Sequence, residues 1–343
     1  MTAPLNLNRI IMAREANGLA QAELAEKIGM SATNLSKIER SDIGIQSDIL
    51  EKIADVTHFP IHFFYQQGQM VAENLSYRKR QTVAQKLITP INATANIIRN
   101  NLQFLNTALS NPVPALPKME VTQAQTPAAI AAKLRKLWGI QTPVINNLTK
   151  VVEAKGLAIA AFNFQTERVD SLSILTDDKY PIICCNKTLL GDRQRFTIAY
   201  ELGQLIMHTY KPVPLNRNIT KEASEFAAAF LMPAAEIKKD FAAGVTIPLL
   251  GEMKRKWKIS MIALLYRADD LGLLTPNQKR YLLQQFNQLK IRRREPVELD
   301  IPAEQPKLIQ QWIQTYTTKN KLGTAQMAAL LCLYPDDFTE LYF

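Results

Sequence analysis

The residues best placed to do chemistry lie on one segment, 195–208, which reads RFTIAYELGQLIMH. Within it Tyr200, Gln204 and His208 recur every fourth residue, so on a helix they share a face, with Glu201 beside the first of them. This is the spacing with which a helix offers zinc two imidazoles one turn apart, plus a neighbouring carboxylate as general base. The carboxylate is present as Glu201, but a phenol and an amide stand where the two imidazoles belong. Zinc favours imidazole, thiolate or carboxylate, so Tyr200 and Gln204 are poor ligands. The residues predict the outline of a hydrolytic zinc site without the donors that hold the metal, and Glu201 is vestigial.

The histidines point the same way. The chain has three, and His58 and His62 belong to its first 65 residues. His208 is the third, four residues beyond Gln204. A metal set rebuilt from Glu201, His208 and Glu222 is one reading of it. The preferred reading is that His208 caps or hydrogen-bonds the end of its helix.

Residues 222–233, EASEFAAAFLMP, resemble the second signature of the ImmA/IrrE metallopeptidase family, roughly E-x-x-A-N-x-F-A-A-x-L-L-M-P. In that family a Glu four residues before the Asn is the third zinc ligand. Ser224 occupies the Asn position, so the ligand position falls on Thr220; Glu222 lies only two residues before Ser224, on another side of the helix. The resemblance extends to Trp257-Lys258-Ile259-Ser260, 263–271, Glu295-Pro296 and the punctuation Pro302-Ala303-Glu304-Gln305-Pro306. It implies a zincin-like domain over 126–285. The losses at Tyr200, Gln204 and Thr220 imply a pseudo-peptidase with no metal, no cofactor and no catalytic residues. Its pocket would then keep Tyr200, Glu201, Gln204, His208, Thr220 and Glu222 as relics. Segments 156–162, 171–175 and 181–185 read as short strands against the 195–208 helix. In active relatives a sheet edge of this kind positions a peptide substrate.

Stepping N-terminal, residues 5–65 carry five short amphipathic helical segments. In 21–29, Leu24, Ala25 and Ile28 form an apolar face, and Gly29 suits a left-handed turn. Ser31 is an N-cap for 32–39, whose Leu35 and Ile38 point inward while Ala32, Thr33, Asn34, Ser36 and Lys37 point outward. The segment is similar to the phage-repressor (Xre/Cro) helix-turn-helix family. The resemblance places Gln21 against a phosphate with a base edge in reach, and Ala32, Thr33 and Lys37 over bases, with Ser31, Asn34 and Ser36 beside them. Lysine can donate to guanine O6/N7, and the methyls of Ala and Thr suit thymine. Arg40 and Ser41 would touch phosphate.

Charge is uneven. The total is +10, yet residues 1–65 hold six Lys/Arg against eight Asp/Glu, giving −2. Residues 66–150 hold ten Lys/Arg against Glu73 and Glu120, giving +8. That middle segment includes Tyr77-Arg78-Lys79-Arg80 and suggests a polyanion partner, with nucleic acid first and a solvated helix face as the alternative. A helical pattern over 83–109 keeps Leu87, Ile88, Ile91, Ala95, Ile98, Leu102 and Leu105 in phase, fit either to dimerise or lever the head or to pack on the next domain. Asn111-Pro112-Val113-Pro114-Ala115-Leu116-Pro117 then breaks regular structure. Residues 323–331 and 335–342 repeat the rhythm of 20–39, but Asp336, Asp337 and Glu340 make the second helix acidic, which suits packing or oligomerisation rather than phosphate.

No apolar run reaches the ~18 residues of a membrane span, the opening Met1-Thr2-Ala3-Pro4 is no secretory signal, and Cys184, Cys185 and Cys332 form no disulfide framework. A cytoplasmic location is expected. The fold class is α+β, mostly helical, in four parts. These are a five-helix head (1–66), a basic helical linker with a Pro-rich connection (67–125), the zincin-like α+β domain with a small sheet (126–285) and a helical C-terminal region (286–343). The expected function is a sequence-specific transcriptional regulator that binds double-stranded DNA as a homodimer. An inactive metallopeptidase-like domain would take a small-molecule or protein effector. Two rivals are an active zinc peptidase with atypical ligands that cleaves a repressor, and an antitoxin-like or scaffold protein that binds a partner and autoregulates.

Overall fold

The computed structural model describes residues 4–40, 43–68, 70, 77–79, 83–210, 212–214 and 216–343. Sixteen α-helices and a four-stranded sheet are found among them.

The head begins with α1 (Leu7–Ala16), capped by the Asn6 side chain, followed by α2 (Gln21–Lys27) and α3 (Ala32–Glu39). Gly29, in the turn between α2 and α3, has φ +71°, a conformation costly for any residue with a Cβ. The Ser31 hydroxyl accepts from the Asn34 amide and starts α3, as its residue type predicts. Helix α4 (Ser47–Thr57) follows, and the fifth segment is a 3-10 turn, Ile61–Tyr65, rather than an α-helix. Leu24, Ala25, Ile28, Leu35 and Ile38 are all buried. Arg9 is buried as well: it lies over the Phe63 ring and donates to the carbonyls of Gln66 (3.2 Å) and Gln67 (2.7 Å), so it pins the chain's exit from the head to α1.

Helix α5 (Gln85–Leu109) buries thirteen of its twenty-five residues, Ile88, Ile91, Ala95, Ile98, Leu102 and Leu105 among them. Of the two roles open to its apolar stripe, packing is the one realised. Its face joins the head, one side of the sheet and the C-terminal helices in a single hydrophobic core. Residues 111–125 run without regular structure and are tacked down where the Met119 amide donates to the Ile206 carbonyl, 3.1 Å.

The sheet has the order β1-β3-β4-β2, with β1 Tyr77–Lys79, β2 Ala158–Phe162, β3 Val169–Leu175 and β4 Pro181–Asn186. β4 runs parallel to β2 and antiparallel to β3. Alternation sorts the side chains: Ala158, Ala160, Ile182 and Cys184 face the α5 side, whereas Ile159, Ile183 and Cys185 face the second core. Because both faces are covered, β4 is buried along its whole length.

The second core is built around α8 (Gly191–Met207), in which every residue except Arg193 and Phe196 is buried. Helices α6 (Pro127–Leu137), α7 (Leu148–Glu153) and α9 (Ile219–Leu231) pack around it, followed by α10 (Ala234–Asp240), α11 (Ile247–Trp257), α12 (Met261–Asp270) and α13 (Pro276–Gln288). Two buried arginines satisfy carbonyls at the end of α9: Arg135 donates to Phe230 O at 2.6 Å, and Arg267 to Met232 O at 3.1 Å. The Pro302–Pro306 punctuation crosses the start of α8, where the Gly191 amide donates to Ile301 O, 3.0 Å, and buried Arg195 pairs with Glu304.

Helices α14 (Leu308–Asn320), α15 (Thr324–Leu330) and α16 (Pro335–Tyr342) close the chain. The helix-turn-helix echo packs against the head. His62 Nε2 lies 2.9 Å from Ala329 O, and the His58 ring lies tilted against Tyr334 with Nε2 3.5 Å from Asp337.

Candidate functional site

One buried carboxylate ties α1 to the two helices that carry the expected DNA-binding residues. Glu39 at the end of α3 accepts from Arg14 Nε (2.7 Å) on α1 and from Gln21 Nε2 (2.7 Å) at the start of α2. Gln21 is therefore oriented by α3, a tie that the sequence spacing does not announce. Ala32, Thr33, Asn34, Lys37 and Arg40 are exposed, and Ser36 is half-buried. Ser31 accepts at the cap, which leaves its O–H able to donate to a phosphate oxygen. Ser41 lies outside the described residues.

The three positions that would ligate zinc converge, but on one another. Gln204 Nε2 donates to the Tyr200 hydroxyl at 3.1 Å, and the Thr220 side chain hydrogen-bonds the same hydroxyl. Burial pushes the Tyr200 phenol above its ordinary range, which keeps it neutral and a still poorer metal donor. Where a metal would pin α8 to α9, neutral hydrogen bonds do so directly.

Glu201 turns away from that trio. Its two oxygens accept from Ser171 Oγ (2.5 Å) and Ser173 Oγ (2.6 Å) of β3. Burial raises its pKa to about 7, although both hydroxyls and the nearby Arg78 favour the charged form. His208 stands at the C-cap of α8, as the preferred reading has it, with Nδ1 2.5 Å from Gln204 Oε1 and Nε2 2.7 Å from Glu222 Oε2. Burial holds its imidazole below the ordinary value, against the pull of Glu222. Glu222 is clamped a second time by Arg217, 2.9 Å, and lies below the usual carboxylate range despite partial burial. Glu201 and His208 thus belong to separate hydrogen-bond sets, and the rebuilt set of Glu201, His208 and Glu222 is not assembled. Among the described residues no three His, Cys, Asp or Glu side chains group to hold a metal ion. The residues present do not fit zinc.

Arg78 departs from the polyanion reading of the basic middle segment. Rather than facing a polyanion, its guanidinium donates to Thr197 Oγ1, sits 3.9 Å from Asp170, and lies over the rings of Phe196 (4.8 Å) and Tyr200 (5.3 Å). Arg99 and Arg135, from the same +8 stretch, likewise meet internal partners and are buried. Arg80 lies outside the described residues. The site opens into a cleft of about 1980 Å³, with Tyr200, Thr220, Ser224 and Phe196 in its wall and Arg168, Arg292 and Arg293 at exposed positions along it.

This architecture is that of a DNA-binding head joined to a zincin-like α+β domain. Residues 10–64 match the helix-turn-helix family model, and residues 152–269 match the model of the IrrE N-terminal-like domain. The chain therefore combines an Xre-type helix-turn-helix domain with an ImmA/IrrE-like domain of the M78 peptidase class. A comparison with curated proteins found no match. Among the described residues no helix is long and apolar enough to cross a membrane.

Proposed function

We propose that this protein is a sequence-specific transcriptional regulator of the cytoplasm whose IrrE-like domain has given up peptide hydrolysis and serves to bind an effector or partner. In this reading α3 enters the major groove, with Ala32, Thr33 and Lys37 over base edges and Gln21, Ser31, Asn34, Ser36 and Arg40 on or beside the backbone. The regulator works as a homodimer on a palindromic site. Head, connecting segment, IrrE-like domain and C-terminal helices divide near residues 66, 125 and 285.

The observation that carries the loss of catalysis is the hydrogen-bonded trio Tyr200, Gln204 and Thr220 at the three ligand positions. A catalytic zinc needs three protein ligands and an open position for water. A neutral phenol, an amide and a threonine hydroxyl supply none of the usual kind. Elemental analysis of the purified protein is expected to find no stoichiometric zinc. About one zinc per chain, lost on Glu201→Gln or His208→Ala, would reverse the reading.

A further inference from the structure

Strand β1 is absent from the elements that the sequence pattern predicts, and it lies on the edge of the sheet beside the vestigial site. Tyr77 pairs with Leu172 and Arg78 with Ser171; the register then slips, so that Lys79 stands opposite Val169. A three-residue strand with a break in register makes few ladder hydrogen bonds, and its backbone alone holds it weakly. The Arg78 side chain does the anchoring, through Thr197 Oγ1, Asp170 and the faces of Phe196 and Tyr200. Without Arg78, the carboxylates of Asp170 and Glu201, both buried, would lose a compensating cation, with Arg193 still on Asp170. Without β1, the outer edge of β3 would expose unpaired amides and carbonyls. The site thus calls for an extended backbone that carries a planar cation.

We propose that β1 is a built-in, displaceable ligand of the IrrE-like domain, and that an extended, arginine-bearing segment of a partner protein takes its place on β3. The proposal deepens the partner-binding reading above and rests on it. Main-chain pairing to β3 supplies affinity, and the pocket of Asp170, Thr197, Phe196 and Tyr200 supplies the choice of arginine, since lysine lacks the fork and the flat face. Residues 77–79 lie between the head, whose 3-10 turn ends at Tyr65, and α5. A partner segment and β1 exclude one another, so binding at β3 releases one of the points at which the connection from the head is fastened to the domain.

The test uses the full chain and a fluorescein-labelled peptide copying its residues 74–82, NLSYRKRQT, read by fluorescence anisotropy. The Arg78→Ala chain is expected to bind the peptide about tenfold more tightly than the wild type, and a peptide carrying the same Arg78→Ala change should show no such gain. Equal binding by both chains, or of both peptides, overturns the proposal. Should Arg78→Ala fail to fold, hydrogen exchange on the wild type decides: saturating peptide exposes the amides of 77–79 while those of β3 stay protected. Unchanged exchange at 77–79 overturns the proposal, as does free L-arginine that competes as well as the peptide. Operator binding and peptide integrity, followed in parallel, separate the two readings. Loss of peptide binding alone sinks the strand exchange, whereas cleavage of the peptide by a zinc-loaded chain sinks the silent-domain reading.

Discussion

Glu201 is a buried carboxylate held by two serine hydroxyls of β3. Its folded pKa of about 7 lies above the ordinary value of 4.5, chiefly through burial. Between those two values the folded chain holds a proton that the unfolded chain has lost. Its contribution to stability is therefore fully present below about pH 4.5 and is lost as pH rises through 7. Glu201→Gln removes that penalty and leaves an amide oxygen and an amide N–H to meet the Ser171 and Ser173 hydroxyls. Relative to the wild type, the variant should gain stability progressively as pH rises from 4.5, reaching on the order of 3 kcal/mol by pH 8. Parallel melting curves across that range would show that Glu201 is not the titrating group. In the head, Lys37→Ala should cost about 1–3 kcal/mol of discrimination between operator and unrelated DNA. An unchanged preference in gel-shift competition would mean that α3 does not read through Lys37.

Helix α8 depends on close backbone approach as much as on side chains. A Cβ at Gly191 would lie 2.3 Å from Pro302 O and 2.4 Å from Ile301 O, and these are backbone atoms, with Ile301 O tied to the Gly191 amide, so they give way poorly. Gly191→Ala should therefore destabilise the fold by about 1–3 kcal/mol, the usual range for overpacking. The natural control is Gly139→Ala, whose Cβ meets nothing within 4 Å but whose φ of +70° carries a backbone cost without a clash. A denaturant midpoint for Gly191→Ala equal to the wild type would mean that the 301–306 segment shifts freely. The same contact ties the Pro302–Pro306 segment to α8: it packs on the helix start, and Gln194 exchanges hydrogen bonds with the backbone of Glu304.

Across the whole molecule, the head is built into its surroundings. Its core continues through α5 into one face of the sheet and the C-terminal helices, and two of the three histidines stand where α15 and α16 meet the head. Two such heads in one dimer would double the contacts and make the second nearly intramolecular, which offsets the weak attraction of a head with net charge −2. Half-site centres are then expected one helical turn apart, ~34 Å, or a multiple of it. Footprinting and sedimentation check this together. A single asymmetric half-site bound by a monomer at micromolar concentration sinks the dimer. Since α5 spends its apolar stripe on internal packing, the half-site spacing must be set by surfaces other than that stripe.

What the sequence determined by itself is what local physics encodes. The cap at Ser31, the left-handed turn at Gly29, the inward phase of Leu35 and Ile38, the stripe of α5 and strands β2, β3 and β4 each follow from residues within a few positions of one another. The residue types at Tyr200, Gln204 and Thr220, a phenol, an amide and a hydroxyl, are likewise read without any fold. Tertiary structure decided the rest. Arg78 lies 119 residues from the Thr197 that receives it, the serines that hold Glu201 are 30 and 28 residues away, and His62 meets a carbonyl 267 residues on. Strand β1 has no alternation to reveal it, because three residues hold too little pattern, and a basic run reads the same whether its arginine faces phosphate or a buried carboxylate. Only the outer edge of β3, beside Asp170 and Phe196, selects between those fates, and that edge exists only once the chain has folded.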